Sequence, residues 1–224
     1  MSYLRPTAEI HADALLPGDP GRALALAQEL LEQPKMSNHA RGLWGYSGHS
    51  ADGGPLTIQA TGIGGPSAAV VLRELADLGV RRAVRVGTGR AQAREPGPGP
   101  LMVVTEALAA DGVSRALGVE GSVFPDPELG QAVMVSAAEE GAYTGRVVTT
   151  DLEGDPDDTE AAAFDLTTAP LMVLGERLGV AVASLLVVRG ATAADPDPID
   201  DEALALASLK LGRSAVSAMA AISS

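Results

Sequence analysis

The chain contains no cysteine, so disulfides, thiolate nucleophiles and cysteine-based zinc sites are excluded. Its three histidines, His11, His39 and His49, are too scattered in sequence to suggest a metal site, and no metal is expected. Aromatic residues make up only 3% of a chain that is 46% hydrophobic, so the core has to be built from Ala, Val, Leu and Ile. Positive charge is also scarce: 16 basic against 29 acidic residues leave a net charge of −13. Nucleic acid and anionic membrane are therefore excluded as partners, and any anionic ligand must be held by a local cationic site working against the global field. The N-terminus has no apolar signal region, and no apolar run approaches the ~20 residues of a membrane span. These absences point to a cytoplasmic protein.

What is present is an aliphatic, glycine-rich chain of 224 residues, a length that suits one domain over 1–224. Strands are expected at 13–16, 56–60, 83–86, 101–105, 146–149 and 180–188. Helices are expected at 21–33, from Pro66 to about Leu78, and at 127–140, 166–178 and 201–222. This alternation argues for a single α/β domain with a mostly parallel sheet. Two strongly acidic segments, 151–160 and 195–202, read as solvated loops, the second also placing negative charge at the start of the last helix.

Three segments carry the chemistry: Leu-Pro-Gly-Asp-Pro-Gly-Arg at 16–22, Thr-Gly-Ile-Gly-Gly-Pro-Ser at 61–67 and Arg-Val-Gly-Thr-Gly at 85–89. The first and third hold the ingredients of a phosphate site: backbone N–H groups that an anion can approach closely, arginines and a threonine hydroxyl. The middle segment does not have the spacing of a dinucleotide fingerprint.

In this order, and with Arg41-Gly42 before Gly45-Tyr46, Glu74-Leu75 before Leu78-Gly79, and Asp111-Gly112, the chain resembles the nucleoside phosphorylase family, which includes uridine phosphorylase and the hexameric bacterial purine nucleoside phosphorylases. The resemblance implies a single three-layer α/β/α domain with a mixed, partly barrel-like central sheet. It implies a phosphate site of Gly18, Arg22, Arg85 and Thr88, completed by Arg41 from a neighbouring subunit, and hence a homo-oligomer, a dimer or a trimer of dimers. Arg85 and Arg189 would act in catalysis, and Gly89, Asp165, Leu166 and Thr167 would face the nucleoside. No cofactor is expected, phosphate being the co-substrate with a nucleoside-like small molecule. The implied reaction is phosphate-dependent cleavage of an N-glycosidic bond, giving free base and a (deoxy)ribose 1-phosphate.

The nucleoside half departs from the family pattern. Asp165-Leu166-Thr167 stands where the family has Glu-Met-Glu, so the carboxylate that binds the ribose hydroxyls is replaced by a threonine. Arg189-Gly190 stands where purine enzymes have Ser-Asp, so their general acid is missing, although uridine phosphorylases place an arginine near this point. Gly87-Thr88-Gly89-Arg90 replaces Gly-Thr-Thr-Gly or Gly-Ser-Cys-Gly. The N-terminal histidine that reaches a neighbour's ribose has no clear counterpart; Glu9 and His11 lie nearest. Three readings stay open: a phosphorylase with altered nucleoside specificity, a catalytically impaired member that binds an anionic metabolite, and a nucleosidase. The arginine clamp argues against the last, since a hydrolase gains nothing from gripping a dianion.

Overall fold

Ten strands, β1 (Asp13–Pro17), β2 (Leu31–Asn38), β3 (Gly45–Ser50), β4 (Pro55–Gln59), β5 (Arg82–Ala91), β6 (Leu101–Ala109), β7 (Gly121–Val123), β8 (Tyr143–Thr149), β9 (Ala163–Asp165) and β10 (Ala181–Arg189), join in one sheet. Among the described residues six α-helices cover it: α1 (Pro20–Leu30), α2 (Gly64–Asp77), α3 (Gly112–Ala116), α4 (Pro127–Ala138), α5 (Thr168–Leu178) and α6 (Asp201–Ala221). The structure, a computed structural model, describes residues 2–51, 54–91, 100–152, 161–190 and 199–222. The acidic residues 153–160 and 195–198 lie outside the described residues.

The sheet follows from the aliphatic composition. Along β1, Ala14 and Leu16 enter one core cluster and Leu15 the other. Along β10, Val182, Leu186 and Val188 face one way and Ala183, Leu185 and Val187 the other. Side chains alternate across a strand, so strands buried on both faces read as continuous apolar runs. Helices α2, α3 and α5 pack together on one face, and α1, α4 and α6 on the other, giving the three layers. Leu72, Leu75, Leu171 and Leu174 fill the first core, and Leu26, Leu129, Leu211 and Met219 the second. Four helices begin at an aspartate whose carboxylate accepts an N–H of the first turn: Asp19, Asp111, Asp126 and Asp200. Asp201 and Glu202 follow in the first turn of α6, as expected of that acidic segment.

The sheet is mixed and partly closed. The order is β10-β6-β8-β9-β5-β1-β4-β3-β2, and β10 also pairs with β5, so β5, β10, β6, β8 and β9 form a ring from which β1, β4, β3 and β2 extend as an open sheet. The mostly parallel sheet expected from strand–helix alternation is therefore corrected: β3 is antiparallel to both β2 and β4, β6 to both β7 and β10, and β9 to β5. The helix expected at 21–33 ends at Leu30, and Leu31 pairs with Ser50 as the first residue of β2. The cause is Pro34, which cannot continue a helix and disfavours helical geometry at Gln33 before it. Pro34 and Lys35 suit the outer edge strand that β2 becomes.

Candidate functional site

The site grows from an exchange of partners along one edge of β5. On one edge β10 pairs with β5 continuously from Arg82 to Arg90. On the other, β1 pairs only as far as Pro17 opposite Val86, and β9 joins at Phe164 opposite Arg90. Gly87, Thr88 and Gly89 lie between the two partners. Here the chain leaving β1 turns away and a cavity of about 800 Å³ opens, lined by Gly18, Arg22, Arg85, Thr88, Gly89, Asp165, Leu166, Thr167, Arg189 and Gly190 among others. Ligands of α/β sheets characteristically settle where strand order splits in this way.

One wall joins the first two glycine segments. Thr61 N–H donates to Pro17 O at 2.9 Å and Gly62 N–H to Gly18 O at 3.0 Å. Gly62 has φ +76°, and a Cβ there would lie 2.5 Å from Ser67 Oγ, whose hydroxyl donates to Thr61 O. Asp19 Oδ1 accepts the Arg22 N–H at 2.8 Å and so starts α1, setting Arg22 in its first turn with the side chain at the cavity. Burial lowers the pKa of Arg22, and the charges of Arg85 and Arg189 lower it further, against an opposing pull from Asp19. Three guanidiniums thus share one positive field, which a bound anion would relieve.

Arg85 is 5% exposed and reaches across from β5 to the start of α5. Its Nη2 donates to Asp165 Oδ2 at 2.9 Å and its Nε to Thr168 Oγ1 at 3.2 Å. The guanidinium lies over Gly87, where a Cβ would come within 2.5 Å of Arg85 Cζ. Residues i and i+2 of a strand share a face, so only glycine leaves room for this fold-back. Asp165 also accepts from Thr149 Oγ1 at 2.7 Å, from Thr168 Oγ1 at 2.7 Å and from Thr168 N–H at 3.0 Å. The Asp165 side chain has no exposed surface. Its carboxylate, expected to face the nucleoside, is instead consumed inside the protein by Arg85 and two threonines.

The remaining expected residues fall as follows. Thr88 and Leu166 are half-buried at the cavity wall, and Thr167, 4% exposed, also lines it. A Cβ at Gly89 would lie 3.1 Å from Phe164 O, so the two backbones are in close contact there. Arg189 and Gly190 close the wall from the end of β10. Arg41 is not brought to this cavity. It sits exposed in the short turn Ala40–Gly42 with φ +59°, its guanidinium 4.8 Å from the centre of the Tyr3 ring. Glu9 and His11 do not line the cavity, and His11 stands 6.0 Å from His49, ring centre to ring centre.

Sequence reasoning named Arg90 only as a departure from the family pattern beside Gly89, and it missed Thr168 and Phe164. Thr168, which holds both Arg85 and Asp165, has no signal apart from its place beside Thr167. Among the described residues no group of three or more His, Asp or Glu could hold a metal ion, and no helix is long and apolar enough to cross a membrane.

Residues 13–223 match the model of the phosphorylase superfamily. The chain is 31% identical over 194 residues to the guanosine phosphorylase of Halorubrum lacusprofundi, covering 81% of this chain and 79% of that protein. It is 31% identical to a DeoD-type purine nucleoside phosphorylase of Alkaliphilus metalliredigens, covering 80% of this chain and 82% of the relative. The fold is shared with the crystal structure of purine nucleoside phosphorylase from Toxoplasma gondii in complex with immucillin-H, at a TM-score of 0.85 and 22% identity, covering 96% of this chain and 92% of that one.

Proposed function

The chain belongs to the phosphorylase superfamily, and from that premise we propose that it is a pentosyltransferase that cleaves the N-glycosidic bond of a nucleoside with inorganic phosphate. The observation that carries this reading is the meeting of Gly18, Arg22, Arg85 and Thr88 around the gap in β5. Backbone N–H, two guanidiniums and a hydroxyl are the donor set that a phosphate dianion requires.

The chemistry asks for position more than for proton transfer. Phosphate held beside C1′ by Arg22, Arg85 and Thr88 presents an oxygen to the sugar, and its charge stabilises the cationic, oxocarbenium-like transition state. The C1′–O bond forms, the C1′–N bond breaks, and the bonding electron pair leaves with the base, which takes up a proton. Arg189, at the cavity wall, is the residue assigned to stabilise negative charge on the departing base. Gly89, Leu166 and Thr167 wall the nucleoside. Arg41 serves a neighbouring subunit's phosphate, which makes the working unit a homo-oligomer.

The test is incubation with a panel of nucleosides, with and without phosphate. Base and pentose 1-phosphate formed only with phosphate is the expected result. Base release without phosphate would make the protein a nucleosidase, and phosphate binding without turnover of any nucleoside would make it an anion-binding relative.

A further inference from the structure

A guanidinium offers parallel donors along two edges: Nε with one Nη2 hydrogen, and the Nη1–Nη2 end. In Arg85 the first edge is taken. Nε donates to Thr168 Oγ1 at 3.2 Å and Nη2 to Asp165 Oδ2 at 2.9 Å. The two acceptors are themselves joined, Thr168 Oγ1 to Asp165 Oδ2 at 2.7 Å, so one hydrogen-bonded unit fills that edge. Nη1 makes no hydrogen bond to the protein, although Arg85 lines the cavity.

The bonds of the Thr168 hydroxyl follow from what each neighbour can do. A carboxylate only accepts, so Thr168 spends its one hydrogen on Asp165; Arg85 Nε only donates, so Thr168 Oγ1 accepts there. Ser184 Oγ lies 3.3 Å away and donates, because the Thr168 hydrogen is already used. Ser184 sits on β10 opposite Arg85 in register. Thr168 and Ser184 are 0% and 1% exposed, and the donor and both acceptor positions of the hydroxyl are filled. The backbone holds it in place as well. Thr168 opens α5, and its N–H donates to Asp165 Oδ2 at 3.0 Å while the next N–H, of Ala169, donates to Thr149 Oγ1 at 3.0 Å. A side chain branched at Cβ adds its own stiffness.

A single bond to Asp165 would leave the guanidinium free to pivot about Nη2. The second contact, at Nε, sets its plane. We propose that Thr168 is a positioning residue of the phosphate site. By accepting from Arg85 Nε while donating to Asp165, it turns the Nη1–Nη2 end of Arg85 to the cavity, where two parallel N–H bonds meet two oxygens of phosphate. The inference deepens the phosphorolysis reading and rests on it.

The test is calorimetry with inorganic phosphate on wild type, Thr168→Val and Thr168→Ser. Valine keeps the shape and removes the hydroxyl; serine keeps the hydroxyl. The expected result is a phosphate Kd raised about tenfold in Thr168→Val, the scale of a lost hydrogen bond to a charged group, and restored in Thr168→Ser. With a nucleoside that turns over, the KM for phosphate rises in Thr168→Val while the KM for the nucleoside holds. A residue that only supports the fold would lower the unfolding midpoint and leave phosphate affinity alone. Thr168→Val that binds phosphate as tightly as wild type therefore overturns the proposal, as does Thr168→Ser that loses as much affinity as Thr168→Val. Thr168→Ala, read in the same way, replaces Thr168→Val if the latter does not fold. The wild-type titration separates the two readings. Absent phosphate binding removes phosphorolysis and this role with it, whereas wild-type binding that survives loss of the hydroxyl removes only the role of Thr168.

Discussion

Arg85 and Asp165 form an ion pair inside the protein, Nη2 to Oδ2 at 2.9 Å, with side chains 6% and 0% exposed. A buried carboxylate at this position holds one edge of the guanidinium while the residue still lines the cavity. The pair holds a long side chain in one place at the cavity wall, so its ordering cost is met in folding.

Breaking the pair should be costly. Asp165→Ala leaves a buried guanidinium without its counter-charge and is expected to destabilise the fold by about 3–5 kcal/mol. Asp165→Asn, which keeps the shape, should cost less. Urea unfolding of both variants checks the order; equal stability of Asp165→Ala and wild type would contradict the account.

Gly87→Ala tests the fold-back of Arg85 without touching a charge. The new methyl would meet the guanidinium carbon at 2.5 Å. The expected outcome is phosphate affinity reduced by about tenfold or more, on the scale of a lost charged hydrogen bond, in a protein whose circular dichroism is unchanged. Calorimetry with inorganic phosphate gives the answer.

Arg41 is exposed and stacked on Tyr3, outside its own chain's cavity. If it serves a neighbour, Arg41→Ala and Arg85→Ala subunits should each be inactive alone, and mixed oligomers should regain activity because some sites contain both arginines. A monomer by light scattering, or mixtures no more active than their components, would place Arg41 outside the mechanism.

Ordinary purine nucleosides should react slowly. Gly190 has no side chain to protonate a leaving purine, and general acid assistance contributes typically 10²–10⁴-fold. Inosine turnover on the order of 10 s⁻¹, the usual enzymatic rate, would show that the acid lies elsewhere. Thr167→Glu with Gly190→Asp is the complementary gain-of-function experiment.

Glu74 anchors the N-terminal segment. Its carboxylate accepts the N–H groups of Tyr3 at 2.7 Å and Leu4 at 2.6 Å. Burial alone would raise its pKa, but these bonds, with the Ser2 hydroxyl and the chain's N-terminal charge, bring it below the ordinary 4.5. A carboxyl whose pKa is lower when folded stabilises the protein above its unfolded value and loses that contribution as pH falls below it. Unfolding free energy should therefore decline as pH drops below about 4.5, and Glu74→Gln should flatten that part of the profile.

The sequence revealed the parts of the site with strong local rules. The glycine turns, the arginines at fixed offsets and the apolar runs of β5 and β10 all follow from short-range chemistry. The start of β2 falls inside the helix expected at 21–33, because Leu24, Ala27, Leu30 and Leu31 keep a helical period up to Pro34. β3 and β9 are short or polar and exist because partners are available across the sheet, which a linear reading does not show. Asp165 was assigned to the nucleoside by its place in a motif; its true neighbours, Thr149 and Arg85, come from distant parts of the chain. That Arg90 lies opposite Arg189 was hidden for the same reason, since their pairing follows only from the register of β5 and β10.

The exchange of partners along β5 ties the ends of the chain together. Turn 17–20, strand β5 and the end of β10 border one cavity, so a ligand there acts as a non-covalent cross-link between early and late segments. β5 is shared by the ring and the open sheet. Occupying the gap therefore resists their separation, and amide hydrogens along β5 would be released to exchange by whole-domain unfolding, with local fraying contributing little.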